Sequence, residues 1–471
     1  MLNNNTKTKE YADQKMYWSK RNSYYHNKNY FYLKKHISND SVVLDINCGN
    51  GDLLSYINPK VGLGIDQNLD LIKEAKKEHK GFEFYNFSIL ELKKYLNDNN
   101  IQLDFIILND LIGMLDDCED FLNEIYEICT INTRLIISHY SQSWRPILFL
   151  AGLMRLKMKP FEQNWLTNNA SKNFLTLSNF EVLNSDLKIL LPFNIPFLSN
   201  FVNKFIVHIP IIRKLSLRQY IVARKSQIVS NIDLSVSIIV PCKNEKGNIN
   251  DAIERLPEFG CSQEIIFIEG GSSDGTYEQC IDVRDKYHDK NIVVEKQQGN
   301  GKWNAVKTGF DIAQGDVLII LDADLTVPPE MLPRFYEKIA NNSAEFVNGT
   351  RLVYSIDKGA MQTLNFFANH IFAKIFSYIL GQKISDTLCG TKVIKKSDYL
   401  RAIKKVEEIN FNDPFGDFTL IFGASMLDLK MIDVPIRYKR REYGETQISR
   451  FKHGIYLLKI SIQGLLKIKF I

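Results

Sequence analysis

The stretch IILDADLTVPPE, Ile319 to Glu330, decides how this 471-residue chain is read. An apolar, β-branched run ends in two carboxylates, Asp322 and Asp324, with only Ala323 between them. Like charges that close repel unless a proton or a cation neutralises one of them. Two carboxylates at a strand's end suit a hard divalent cation with oxygen ligands, Mg2+ or Mn2+, which in turn binds a diphosphate. Such a cation acts as a Lewis acid on a phosphate leaving group. The same design recurs upstream. VSIIVPCKNE (236–245) is a buried strand that ends near Pro241 and runs into Asn244 and Glu245. EIIFIEGGSSDGT (264–276) is a strand, then Glu269, two glycines, and a turn at Asp274 and Gly275. QQGNGKWNAVKTGFDIA (297–313) is a glycine loop and a helix leading into the strand before Asp322.

The first half has its own strand–helix alternation. Strands are expected at 41–46, 62–66, 82–87, 103–110, 134–139 and 219–225, with helical stretches such as LDLIKEAKKEH and CEDFLNEIYEIC between them. Apolar strands separated by helices predict parallel, doubly wound α/β sheets, here two of them. The expected organisation is a first domain over 1–225, a polar linker over 226–235, a second domain over 236–450 and an amphipathic basic helix over 451–471. VVLDINCGNGDLL (42–54) is a strand, a turn with Gly49 and Gly51, and a helix start. Glycines there let a ligand approach the backbone, and the helix start offers unpaired N–H groups. Asp66 closes the next strand, where an acid accepts hydrogen bonds from ribose hydroxyls.

Composition sets the bounds. Hydrophobic residues make up 45% and charged residues 24%, ample for two cores. Seven cysteines without a CxxC pair argue for reduced thiols in the cytosol and against a disulfide framework or a structural zinc. The start, MLNNNTKTKEYADQ, has no apolar signal core, and no window is apolar enough to span a bilayer. Of the net charge of +5, the segment from Lys430 onward carries ten Lys/Arg against three Asp/Glu. That is a basic tail on a neutral body rather than a nucleic-acid-binding face.

The first half resembles the class I S-adenosylmethionine-dependent methyltransferases, on Asp45, Cys48, Gly49, Gly51 and Asp66 within D-x-x-C-G-x-G and the following strand. Asn47 stands at the first glycine of that pattern, and Ser88 where such enzymes often read the adenine amino group. The resemblance implies bound S-adenosylmethionine, with residues 17–32 as a lid helix. His139, at the end of the fifth strand, is a candidate base. The second half, over about 234–450, resembles the family-2 inverting glycosyltransferases of the GT-A fold, most closely the dolichol-phosphate mannose synthase branch. It does so on DADLTVPPE, GTR (349–351), ISDTLCGTK (384–392) and RYKRREYGETQISR (437–450). The resemblance implies a nucleoside-diphosphate sugar donor. Asp322 and Asp324 would hold the metal and diphosphate, and Glu269 the base or ribose, with Pro241, Asn244, Glu245 and Asp274 lining that pocket. Lys302, Arg351, Arg440 and Arg441 would attract the diphosphate or an acceptor phosphate. Where the pattern has two Asp, this chain has Glu269 and Gly270, so the nucleobase stays open.

Transfer to a sugar hydroxyl needs a general base, whereas a polyprenyl phosphate is already an anion. NDPFGDF (412–418) offers Asp413 and Asp417 as that base. Residues 361–380 and the tail FKHGIYLLKISIQGLLKIKFI each carry a polar and an apolar face, as interfacial helices do. QISRF (447–451) matches QxxRW only by chance. The expected function is inverting sugar transfer to polyprenyl phosphate or a related glycolipid at the inner face of the cytoplasmic membrane, fused to a methyltransferase. The alternative acceptor is a sugar hydroxyl in surface polysaccharide synthesis, the first half methylating the glycan or serving as an inactive binding module.

Overall fold

The computed structural model describes residues 8–158, 164–226, 232–353, 363–411, 413, 416–438, 441, 443 and 450–470. The chain divides into two compact units, Met1–Gln227 and Ile228–Ile471.

In the first unit, β1 (Val42–Ile46), β2 (Val61–Ile65), β3 (Glu83–Tyr85), β4 (Phe105–Asn109), β5 (Arg134–Tyr140), β6 (Phe180–Lys188) and β7 (Arg218–Lys225) form one sheet. Its order is β3-β2-β1-β4-β5-β7-β6. Alternate residues of one strand go to opposite faces. Ile106 and Leu108 of β4 enter one apolar layer, Phe105 and Ile107 the other. Both faces are thus covered, which is why these strands read as continuous apolar runs. Helices Lys9–Arg21 and Ser23–Lys34 precede the sheet.

The second unit repeats the plan with β8 (Val236–Cys242), β9 (Gln263–Glu269), β10 (Asn291–Lys296), β11 (Val317–Ile320), β12 (Phe346–Thr350), β13 (Lys392–Lys395) and β14 (Met431–Pro435). Its order is β10-β9-β8-β11-β13-β12-β14. Val317 and Ile319 face one core, Leu318 and Ile320 the other. Ile232 N donates to Ala340 O and Ser235 Oγ to Asp316, so the chain is bound into this unit before β8 begins.

The sheets are doubly wound but not wholly parallel. β7 runs antiparallel to both β5 and β6, and β13 antiparallel to both β11 and β12. The sequence conceals three of these strands. β6 is broken by a bulge between Val182 and Asn184 and alternates irregularly. β12 and β13 are only 5 and 4 residues long, and carry Asn, Gly and Lys where the parallel strands carry Ile and Val.

Candidate functional sites

In the second unit the parallel strands β8, β9 and β11 all deliver carboxylates at their C-terminal ends. Glu245 follows β8, Glu269 closes β9, and Asp322 and Asp324 follow β11. Ligands of such sheets bind outside the carboxyl ends of the strands. Lys302 opens the helix Lys302–Ile312, and its Nζ lies 2.5 Å from Asp322 Oδ1. Arg441 bridges two acids, 2.7 Å from Asp324 Oδ2 and 3.3 Å from Glu245 Oε1. Asp324 Oδ1 also accepts from Thr326 N and Oγ1, which fixes the turn after the DAD stretch.

The electrostatics follow from this pairing. Burial works against the Lys302 ammonium, but Asp322, Asp417 and Asp324 together hold its pKa above the usual lysine range. Burial likewise opposes the Asp322 carboxylate, and Lys302 keeps it below its usual range. Burial pushes Glu245 up to about 7 in spite of Arg441. Glu269 is buried at the end of β9 and accepts from Ser272 N at 2.5 Å. Asn244 takes up positive φ and accepts from Ser273 N through Oδ1, while its own N–H donates to Ser272 Oγ. Asp274 accepts from Lys246 N, Thr276 N and Thr276 Oγ1, clamping the two loops together. Pro241 lies within β8 itself, level with Ile268 of β9.

The donor set suits a divalent cation. Asp322 and Asp324 supply hard oxygens, and the space beside them depends on Gly390, where a Cβ would sit 1.9 Å from Asp322 Oδ2.

Four expected site residues have other work. Asp413 accepts from Phe418 N and Thr419 N, both at 2.9 Å, capping the helix Asp417–Met426. Asp417 Oδ1 is 3.0 Å from Nζ of the fully buried Lys392. Trp303 packs where a Cβ at Gly416 would lie, so the residue before Asp417 is held as well. Arg351 is taken by Asp386, through Nε at 2.7 Å and Nη2 at 2.9 Å. Ser88 forms a reciprocal capping box with Glu91, which gives its hydroxyl a helix-capping role. Arg440 lies outside the described residues. Asp386 and Lys392 both lie within the segment ISDTLCGTK, so their neighbourhood, though not their pairing, was readable.

In the first unit, Asp45 is buried in β1 and its Oδ1 meets no donor among the described residues. Gly49 and Gly51 both take positive φ, and a Cβ on Gly51 would collide with the Phe84 ring. Cys48, within the turn, is buried with its Sγ against Gly64 of β2. Asp66 accepts from Gly49 N at 2.9 Å and Asn68 N at 2.8 Å, so the acid locks the glycine turn to the end of β2. Lys15, from the first helix, reaches within 3.9 Å of Asp66 and lies over Gly49. Nothing in the sequence marks it. A turn held open by glycines beside a buried carboxyl whose Oδ1 has no donor among the described residues fits a ribose-bearing cofactor.

His139 is locked away from such a role. Its Nδ1–H donates to Tyr140 O, its Nε2 accepts from Ser171 Oγ at 2.9 Å, and burial lowers its pKa to about 4. Where β4 and β5 end, buried Arg218, the first residue of β7, pairs with Asp110 and donates to Asn109 and Ser138.

Burial pushes Asp45 up to about 8, with Lys15 working against the shift and Asp66 with it. The folded chain therefore keeps a proton from about pH 4 to pH 8 that the unfolded chain loses, and stability falls as pH rises through that window. Asp45→Asn removes the dependence. Its advantage over the wild type is expected to widen by roughly 1.4 kcal/mol per pH unit across the window. The check is thermal unfolding without cofactor, in the transition that S-adenosylhomocysteine shifts; parallel profiles for the two proteins would refute it.

The chain thus carries two α/β units, one with a glycine turn after β1 and one with a carboxylate pair after β11. Residues 37–185 match a methyltransferase domain and residues 237–401 match glycosyl transferase family 2. Dolichol-phosphate mannosyltransferase of Pyrococcus furiosus is 35% identical over 224 residues, 46% of this chain and 59% of that protein. Undecaprenyl-phosphate 4-deoxy-4-formamido-L-arabinose transferase of Edwardsiella ictaluri is 25% identical over 221 residues, 46% of this chain and 64% of that protein. The chain spans about three fifths of the length of these curated relatives. A solved S-adenosylmethionine-dependent methyltransferase of Thermotoga maritima, described as a possible histamine N-methyltransferase, has 12% identity, covering 46% of this chain and 96% of that one, with a TM-score of 0.34.

Proposed function

We propose that the second unit transfers a sugar, with inversion, from a nucleoside diphosphate to polyprenyl phosphate or a related glycolipid. The first unit methylates an acceptor with S-adenosylmethionine. Mg2+ or Mn2+ at Asp322 and Asp324 supplies charge neutralisation for the leaving diphosphate. Lys302 and Arg441, already poised on those two carboxylates, are placed to take up phosphate charge as the donor enters. Glu269 and Asn244 shape the loops where the nucleoside is expected.

The observation that carries the phosphate acceptor is the engagement of both candidate bases. Asp413 caps a helix and Asp417 is held by Lys392, an arrangement that suits an acceptor already charged. The tail supports a membrane setting. The helix Arg450–Gly464 buries Leu457 and Ile460 and exposes Ile455, Leu458 and Ile462 beside Lys459. Among the described residues no helix is long and apolar enough to cross a membrane.

The test supplies labelled UDP- and GDP-sugars to native membranes with Mg2+ or Mn2+ and follows label into the organic phase. Metal-dependent label in lipid is the expected result. Asp417→Asn should retain transfer within about tenfold, whereas loss of a true general base costs about 100- to 10,000-fold. A loss on the larger scale, with label confined to water-soluble glycan, would move the acceptor to a hydroxyl.

A further inference from the structure

The segment between β6 and β7 buries Ile189, Leu190, Val207 and Leu217 but turns most of its large apolar side chains outward. Ser199, Asn203, His208 and Ser216 are buried, while Phe197 is 92% exposed and Ile211 81%. The polar residues are the anchors. Asn203 Oδ1 accepts from Leu190 N and Leu191 N, its Nδ2 donates to Leu191 O, and Ser199 Oγ donates to Phe193 O. Most of the apolar residues therefore face outward because the segment is pinned that way. A second exposed apolar stretch adjoins it, on the helix Arg145–Leu153 and the residues after it, where Phe149 and Met154 protrude. Trp144 Nε1 donates to Leu215 O at 2.6 Å and Ser141 N to Leu217 O at 2.8 Å, which ties the two stretches together.

Monomeric soluble surfaces rarely expose apolar area of this extent without a partner. Charge says which partner. The sequence has no Asp or Glu between Glu127 and Glu162, and none between Asp186 and Asp233. Arg145, Arg155, Lys204 and Lys214 are exposed among the apolar side chains. Aromatic and aliphatic groups interspersed with bases and free of acids fit an anionic lipid surface.

We propose that this face of the first unit docks on an anionic bilayer. The two stretches leave β5 and enter β7 at the end of the sheet that carries the glycine turn, since β1, β4 and β5 run parallel and β7 begins there. Docking brings that end to the membrane. Resting on the methyl-transfer reading above, the methyl acceptor is then an amphiphile held in the bilayer, such as a lipid-linked glycan.

The experiment is flotation of the full chain with phosphatidylglycerol–phosphatidylcholine vesicles and with pure phosphatidylcholine. Ile455→Ser/Leu458→Ser/Ile462→Ser serves as background, so that the tail of the second unit does not mask the result. In that background the chain should still float, more with anionic vesicles, and Phe197→Ser/Phe201→Ser/Ile211→Ser should weaken binding by about tenfold or more. Phe197→Ser alone should weaken it measurably, and at so exposed a position it cannot unfold the unit. A retained melting shift with S-adenosylhomocysteine confirms the fold, and its absence in the wild type would sink the methyl-transfer reading without touching docking. Unchanged flotation of both variants overturns the proposal. So does a wild-type dimer that these substitutions dissociate while vesicle binding persists, because the face then joins two copies of the chain.

Discussion

Asp324→Asn is expected to lower sugar transfer by about 100- to 1,000-fold while leaving the fold intact. Asparagine keeps the side chain's size and its carbonyl oxygen can still accept from Thr326, so the turn after β11 survives. What disappears is the negative charge 2.7 Å from Arg441. Arg441 retains Glu245 as its second partner, at 3.3 Å, so the guanidinium is displaced rather than freed. The site loses one of two hard oxygen donors for a cation and the acid that positions an arginine for phosphate. Both losses fall on the leaving group, where charge grows during the reaction, and such losses appear in the rate. The measurement is transfer at saturating donor alongside a melting curve. A variant within tenfold of the wild type would remove the carboxylate pair from the reaction. Gly390→Ala provides an independent check, because its Cβ would strike Asp322 and Lys302 together.

How far the sequence foretold these sites depended on whether each feature is local. DADLTVPPE and the glycine turn after β1 are local: a strand, its end, and the residues just beyond it. Their chemistry could be read before any fold was known. Pairings across the chain could not. Arg351 reads as a phosphate ligand until Asp386, 35 residues on, is found against it. Asp417 reads as a base until a lysine from β13 reaches it, and that strand is too short to be seen in the sequence. Lys15 lies in a helix with no motif, and only folding brings it over Gly49. The segment before β7 misleads in another way, because its apolar run looks like core until burial is resolved residue by residue.

Removal of the Asp386 carboxylate is expected to be the largest single loss of stability in the second unit, about 3–5 kcal/mol for Asp386→Ala. The side chain is wholly buried and accepts from Arg351 Nε, Nη2 and N, from Asn369 Nδ2 and from Leu388 N. Burial opposes its charge, but Arg351 and Asn369 together hold the carboxyl down to about 2. Without it a nearly buried guanidinium keeps its charge and loses its counter-ion, and backbone donors lose their acceptor. Arg351→Met/Asp386→Leu replaces both charges with apolar volume and should recover much of the loss, since a buried pair contributes little net stability beyond that of apolar packing. Denaturant unfolding of the three proteins measures this. The same double variant tests whether Arg351 meets the donor. Because its N–H groups already face Asp386, the KM for the sugar nucleotide should stay within about threefold, a shift of less than 1 kcal/mol. A KM raised far beyond that in a stable double variant would return Arg351 to the diphosphate and make Asp386 the residue that positions it.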